Sequence, residues 1–219
     1  ERGKQVDQGN TAFVLISAAL VLLMTPGLAF FYGGMVKAKS VVSMMMLSFG
    51  SLGLIAVLWV LYGYAISFSN GGSSSFIGID GWFGIDTSFL GLTAQVADAA
   101  APAGAFPSMA FVAFQATFAI ITVALISGAI ADRAKFGAWM VFAGVWATLV
   151  YFPVANWVFN FTLADGKVVD GGWIVYGLGV IDFAGGTAVH INAGAAGLAL
   201  AIVLGKRFGF SKGITQPHN

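Results

Sequence analysis

The sequence contains no cysteine. That excludes a disulfide framework, a thiolate metal site and a cysteine nucleophile. Charge is nearly as scarce: Asp, Glu, Lys and Arg make up 9% of the residues, against roughly a quarter in soluble globular domains. A chain this poor in charge cannot cover its surface with water-compatible groups, which argues against a soluble enzyme and against a disordered chain. The net charge of +1 offers no basic field for a polyanion, so no nucleic-acid partner is expected. No HExxH, GxSxG or Walker loop is present. Nothing reads as an enzyme, and no cofactor or metal is expected. What is plentiful is apolar surface: 58% of residues are hydrophobic and the mean hydropathy is +0.89. The composition predicts an integral membrane protein whose solvent is the lipid bilayer. Its 30 glycines fit that setting, because small residues let membrane helices approach closely. The first ten residues are polar, so no signal peptide is read in them.

The few charges divide the chain. Residues 8–36, 40–79, 99–131, 136–164 and 183–205 carry none. A spanning helix needs about 20 apolar residues, and each stretch holds one. Polar, glycine-rich 67–75 forbids a second span in 40–79. The predicted spans are 11–36, 41–68, 107–131, 136–161 and 185–204. Runs such as LISAALVLLM are apolar all round, which rejects a β-barrel. Lys37, Lys39, Arg133, Lys135, Lys206, Arg207 and Lys212 fall on one side of the five spans. The other side has only Arg2, Lys4 and Lys167 as cations, beside Glu1, Asp7, Asp80, Asp86, Asp98, Asp165, Asp170 and Asp182. Positive charge marks the cytoplasm, so the N-terminus is expected outside and residue 219 inside, in a multi-pass protein of the cell inner (plasma) membrane. Phe76, Ile77, Trp82 and Phe83, in the long outer segment 67–106, suit a cap at the interface or an entrance vestibule. Pro26-Gly27 and Pro153 each predict a kink or a locally opened helix.

Several residues need a reason to sit in hydrocarbon. Asp182 opens the fifth span. It suits an N-cap, and equally a fixed negative charge at the mouth of a cation path. His190 follows eight residues later, about 12 Å further along a helix and near mid-membrane. An ionisable group there is a functional candidate, although a structural imidazole bonded to a neighbouring helix is the alternative. Desolvation predicts a neutral ring, which suits a small polar permeant or a proton relay. Phe114 and Phe118, four apart, share one helix face. They are core packing or an aromatic gate with a cation–π wall. Trp157 and Phe159 close the fourth span as an interfacial belt.

These strings carry a resemblance. Asp182-Phe183-Ala184-Gly185-Gly186 through His190-Ile191-Asn192, closed by Gly205-Lys206-Arg207, resembles the signature of the ammonium transporter / methylammonium permease / Rhesus family. So do Pro26–Gly34 (PGLAFFYGG) and Phe111-Val112-Ala113-Phe114-Gln115. The resemblance covers nearly the whole chain and is to the bacterial or archaeal type. It implies an all-α membrane fold of eleven helices in two inverted five-helix halves, of which this chain is the N-terminal half. It implies homotrimers with one pore per protomer, an ammonium or ammonia permeant, and a possible PII-type regulatory protein at the cytoplasmic face. It matches Phe118 to the outer gating phenylalanine, Phe114 to the outer cation site, Asp182 to the mouth aspartate and His190 to the first of two pore histidines. The second histidine, the second gate and the outer-site serine are then expected in the other half, and the 219 residues alone are expected not to conduct. The family has a tryptophan at the outer site in span 4. Here the register gives Phe159, a weaker π face, with Trp157 as the second candidate. A membrane ammonium sensor that signals to a cytoplasmic partner is the alternative function.

Overall fold

The computed structural model describes residues 6–97, 106–207, 209–210 and 217. Glu1, Arg2, Lys4, Asp98, Lys212 and His218 lie outside them. Five helices are long and apolar enough to cross a membrane: Gln8–Gly34, Ala38–Ser67, Ser108–Ile130, Phe136–Phe159 and Gly186–Leu204. They are spans 1 to 5. Span 1 starts where the Asp7 carboxylate accepts the Asn10 N–H at 2.6 Å, satisfying a first-turn donor.

Span 3 is the central helix and packs on spans 1, 2 and 5. Six consecutive residues, Ala119 to Ala124, are all buried, so it is enclosed on every side. Spans 1 and 5 instead turn apolar side chains outward, with Phe13 72% and Val203 80% exposed. That is acceptable only where the surrounding medium is itself apolar.

Polar hooks fix the helix pairs. The Trp139 indole N–H donates to Leu47 O and Ser51 Oγ, each at 3.0 Å. Trp59 donates to Val112 O at 3.2 Å, and Tyr32 to Leu125 O at 2.9 Å. Close approach depends on glycine: a Cβ on Gly63 would lie 2.6 Å from the Phe152 ring.

The prolines behave differently from each other. Span 1 continues as α-helix through Pro26, so the helix is not interrupted there. Pro153 follows a π-helical turn, Ala147–Tyr151. The wider turn loosens the ladder before the residue that lacks an N–H.

The connections after spans 2 and 4 are not wholly helical. β1 (Phe76–Ile79) pairs antiparallel with β2 (Phe83–Asp86), and β3 (Phe161–Ala164) with β4 (Lys167–Gly171). Asp165 and Gly166, both with positive φ (50° and 74°), turn the second hairpin, as two-residue turns of the primed type require. Trp173 N–H donates to Gly81 O at 3.1 Å and joins the two hairpin regions. Beneath them the Asn156 amide donates to Ser67 O and Ser69 O at 3.2 and 3.1 Å. It thereby satisfies carbonyls at the end of span 2 that no helical turn can reach.

At the opposite end, Arg207 pairs with Asp132 at 2.7 Å. Arg133 donates to Ala129 O and Gly205 O. The segment after span 5 is thus tied to the loop after span 3. Burial opposes ionisation of Asp132, but the Ser40 hydroxyl, Arg207 and Lys37 outweigh it and hold the carboxyl below its ordinary value.

Two outcomes follow. Gly63→Ala should destabilise by about 1–3 kcal/mol through overpacking. Gly53→Ala, where a Cβ meets nothing within 4 Å, should be neutral or stabilising by up to about 1 kcal/mol; thermal unfolding in detergent compares them. The depressed carboxyl of Asp132 stabilises the fold above about pH 4, and that contribution is lost as pH falls through the lower folded value. Between about pH 5 and pH 3 the wild-type melting temperature should fall more steeply than that of Asp132→Asn.

Candidate functional site

A cavity of about 490 Å³ opens at the hairpin end of the bundle. Span 3 supplies one wall with Phe111, Phe114, Gln115 and Phe118. Their spacing of three, four and seven residues puts them on one helix face. Span 2 contributes Tyr64 and Phe68, the end of span 4 contributes Phe159, and the approach to span 5 contributes Asp182. The rings touch in series. Tyr64 stacks on Phe68 with centroids 5.0 Å apart, and Phe68 meets Phe111 edge-on at 5.0 Å. Phe114 meets Phe118 edge-on at 4.9 Å, and Phe118 lies 6.3 Å from Phe159. Such a wall presents negative π faces and suits a small desolvated cation.

Trp157 lies elsewhere. It packs with Trp82 and Trp173 at 6.1 and 5.7 Å, and its indole N–H donates to Trp82 O. Of the two candidates from span 4, only Phe159 lines the cavity.

Phe118 also lines a second cavity, of about 310 Å³, between spans 1, 3 and 5. Its floor holds His190, and Gly27, Leu28 and Phe31 form the span 1 side. A third cavity, of about 370 Å³, shares His190 and continues along Ala193, Gly194 and Gly197. The order from the hairpin end is therefore aromatic cavity, Phe118, His190 cavity, and a space lined by small residues. His190 is exposed in this groove.

The start of span 5 explains how His190 is held. Asp182 Oδ1 accepts the Gly185 and Gly186 N–H at 2.7 and 2.9 Å, and Oδ2 accepts those of Thr187 and Ala188 at 2.8 and 3.0 Å. One carboxylate thus satisfies four N–H groups that the helix leaves open, and its charge faces the positive helix end. The four acceptor sites of a carboxylate are then filled. Span 5 opens as a π-helical segment, Gly186–Ile191. Both Val189 and His190 donate to Gly185 O, at 3.0 and 2.9 Å. Gly185 adopts φ +80°, and a Cβ there would lie 2.6 Å from Val189, so only glycine allows the turn.

Sequence reasoning singled out Phe114, Phe118, Phe159, Asp182 and His190, and the structure brings them together around two adjoining cavities. It did not single out Tyr64, Phe68, Phe89 or Gln95, which line the outer cavity. The helical spacing of Phe111 to Phe114 and Phe118 was available as a signal. Phe89 and Gln95 sit in the irregular outer segment, where no period marks a face.

Asp182→Ala should cost more than the typical 1 kcal/mol of a lost N-cap, because four donors lose their acceptor. Asp182→Asn, which keeps one acceptor oxygen, should fall between wild type and Ala. Thermal unfolding in detergent measures the ranking; equal losses for Ala and Asn would contradict it.

Comparison with known proteins identifies the fold. Residues 12–219 match the profile of the Ammonium Transporter Family. The ammonium transporter of Mycobacterium tuberculosis (strain ATCC 25618 / H37Rv) is 58% identical over 97% of this chain and 46% of its own length. Candida albicans Mep2 superimposes with a TM-score of 0.74 at 31% identity, over 98% of this chain and 44% of that one. A solved structure described as a sensor Amt protein gives a TM-score of 0.76 at 25% identity, over 96% and 49%. The chain spans about half the length of the curated relatives it matches. Its five spans correspond to the first half of the eleven-helix fold of these proteins. The chain belongs to the ammonium transporter family.

Proposed function

We propose that these residues form the first half of a path for ammonium across the cell inner membrane. The observation that carries the reading is the pair of cavities that meet at Phe118, aromatic on one side and bearing His190 on the other. Ammonium is captured by the π faces of Phe114, Phe118 and Phe159, within reach of the Asp182 charge. Carrying an intact charge through hydrocarbon is costly. Deprotonation near Phe118 turns the permeant into ammonia, which passes His190, and the proton released is relayed by the imidazole to the far side, so that net charge crosses. A neutral imidazole both donates and accepts a hydrogen bond and adds no fixed charge to repel or trap the molecule.

The lysine- and arginine-rich end is the cytoplasmic one by the positive-inside rule, and it is where a PII-type regulator would dock. Homotrimeric assembly is part of the same proposal. A sensor role is the second reading, favoured by the likeness to the sensor Amt protein. It uses the outer cavity for binding without requiring passage beyond Phe118.

A chimera separates the two, with these 219 residues replacing the matching 46% of the M. tuberculosis relative. In liposomes, ammonium should evoke current through it, and His190→Ala should lower that current at least about tenfold, equivalent to 1.4 kcal/mol. Current that survives His190→Ala would remove the imidazole from the proton route. Binding without current or ammonia flux would favour the sensor.

A further inference from the structure

The aromatic wall attracts a cation but offers it few directed acceptors. The Asp182 carboxylate is filled by four N–H groups. Asn70 Oδ1, at the rim, accepts the Gly72 N–H at 3.0 Å. Gln115 also lines the cavity.

What singles out Gln95 is a carbonyl oxygen sealed from solvent without a partner. Gln95 sits in the short helix Thr93–Ala97, which packs on the first part of span 3. The residue is 6% exposed and lines the same cavity as Phe114, Phe118 and Phe159. Yet its Oε1 accepts no hydrogen bond. Buried carbonyls are almost always paired, and an unpaired one needs a reason to persist. A bound donor supplies the reason.

We infer that Gln95 is a hydrogen-bond acceptor that this half of the protein contributes to the cavity, and that it takes an N–H of the bound cation. The terminal torsion of a glutamine is soft, so the oxygen swings toward a ligand in the cavity without leaving its helix. The cavity then selects by two chemistries. The π faces respond to charge alone, whereas Gln95 responds to N–H. Ammonium and primary alkylammonium ions satisfy both, and tetramethylammonium satisfies only the first. The inference rests on the cation-capture reading above and adds the residue that reads the donor.

Isothermal titration of the chimera in nanodiscs tests it, with ammonium chloride and tetramethylammonium chloride as probes. Gln95→Leu should weaken ammonium binding at least about tenfold, as loss of a hydrogen bond to a charged group does. It should change tetramethylammonium binding by less than about twofold. Gln95→Glu keeps an acceptor and should bind ammonium at least as tightly as wild type. Equal ammonium affinity in wild type and Gln95→Leu overturns the assignment while leaving cation capture standing. Loss of both cations in Gln95→Leu makes the residue structural and also overturns it. If wild type binds neither cation, the capture reading fails and the role of Gln95 falls with it.

Discussion

The start of span 5 depends on one carboxylate. In a bilayer there is no water to satisfy the open N–H groups of a helix, and Asp182 accepts four of them. That contact fixes where the helix begins, and the glycine turn at Gly185 fixes how it enters. His190 stands in the π-helical segment that follows, so its position in the groove is inherited from the cap. The cap and the mouth of the cavity are one feature, because the residue that closes the helix also lines the aromatic chamber. A carboxylate is kept at the start of the span because the helix end stabilises its charge.

The second constraint is the burial of span 3. A helix enclosed on all sides fills each face with a different partner. One face carries Phe111, Phe114 and Phe118 into the cavities, while Val112 O on another takes the Trp59 indole. Leu125, about two turns beyond Phe118, lines the His190 cavity and gives its carbonyl to Tyr32. Both chambers are therefore built on the central helix, with the hairpins gathered at one of its ends. Phe118 belongs to both chambers because Phe111, Phe114, Phe118 and Leu125 follow one another at spacings of three, four and seven residues, so the two chambers lie one after the other along a single face of span 3.

Much of this was legible in the sequence because membrane burial is written in charge. The five helices follow from the charge-free stretches, and Asp182 and His190 stand out as ionisable groups in apolar surroundings. The phenylalanines of span 3 follow from helical spacing. The outer connections were less legible. Asp165-Gly166 is a turn signal, but the flanking strands are only four and five residues long, too short for a clear alternation. The choice between Phe159 and Trp157 required a register that spacing alone does not set; the packing of Trp157 against Trp82 and Trp173 brings together residues far apart in the chain. At Pro26 the helix runs on without interruption, since a proline in a membrane helix is tolerated when neighbouring helices hold the backbone in place. Gln95 gave no signal, because a glutamine in a loop looks like solvated surface until its burial is seen.

The central claim is that Phe118 separates the outer chamber from the space around His190. These 219 residues contain no cysteine, so a chimera whose other half is also freed of cysteine makes this directly measurable. Gly27 lines the inner chamber and has room for a side chain, so Gly27→Cys in the membrane-embedded chimera is a reporter for a small cationic thiol reagent added from the outer side. The account predicts slow labelling with Phe118 in place and labelling at least about tenfold faster in Phe118→Ala, a barrier change of 1.4 kcal/mol or more. Equal rates in the two backgrounds would contradict it.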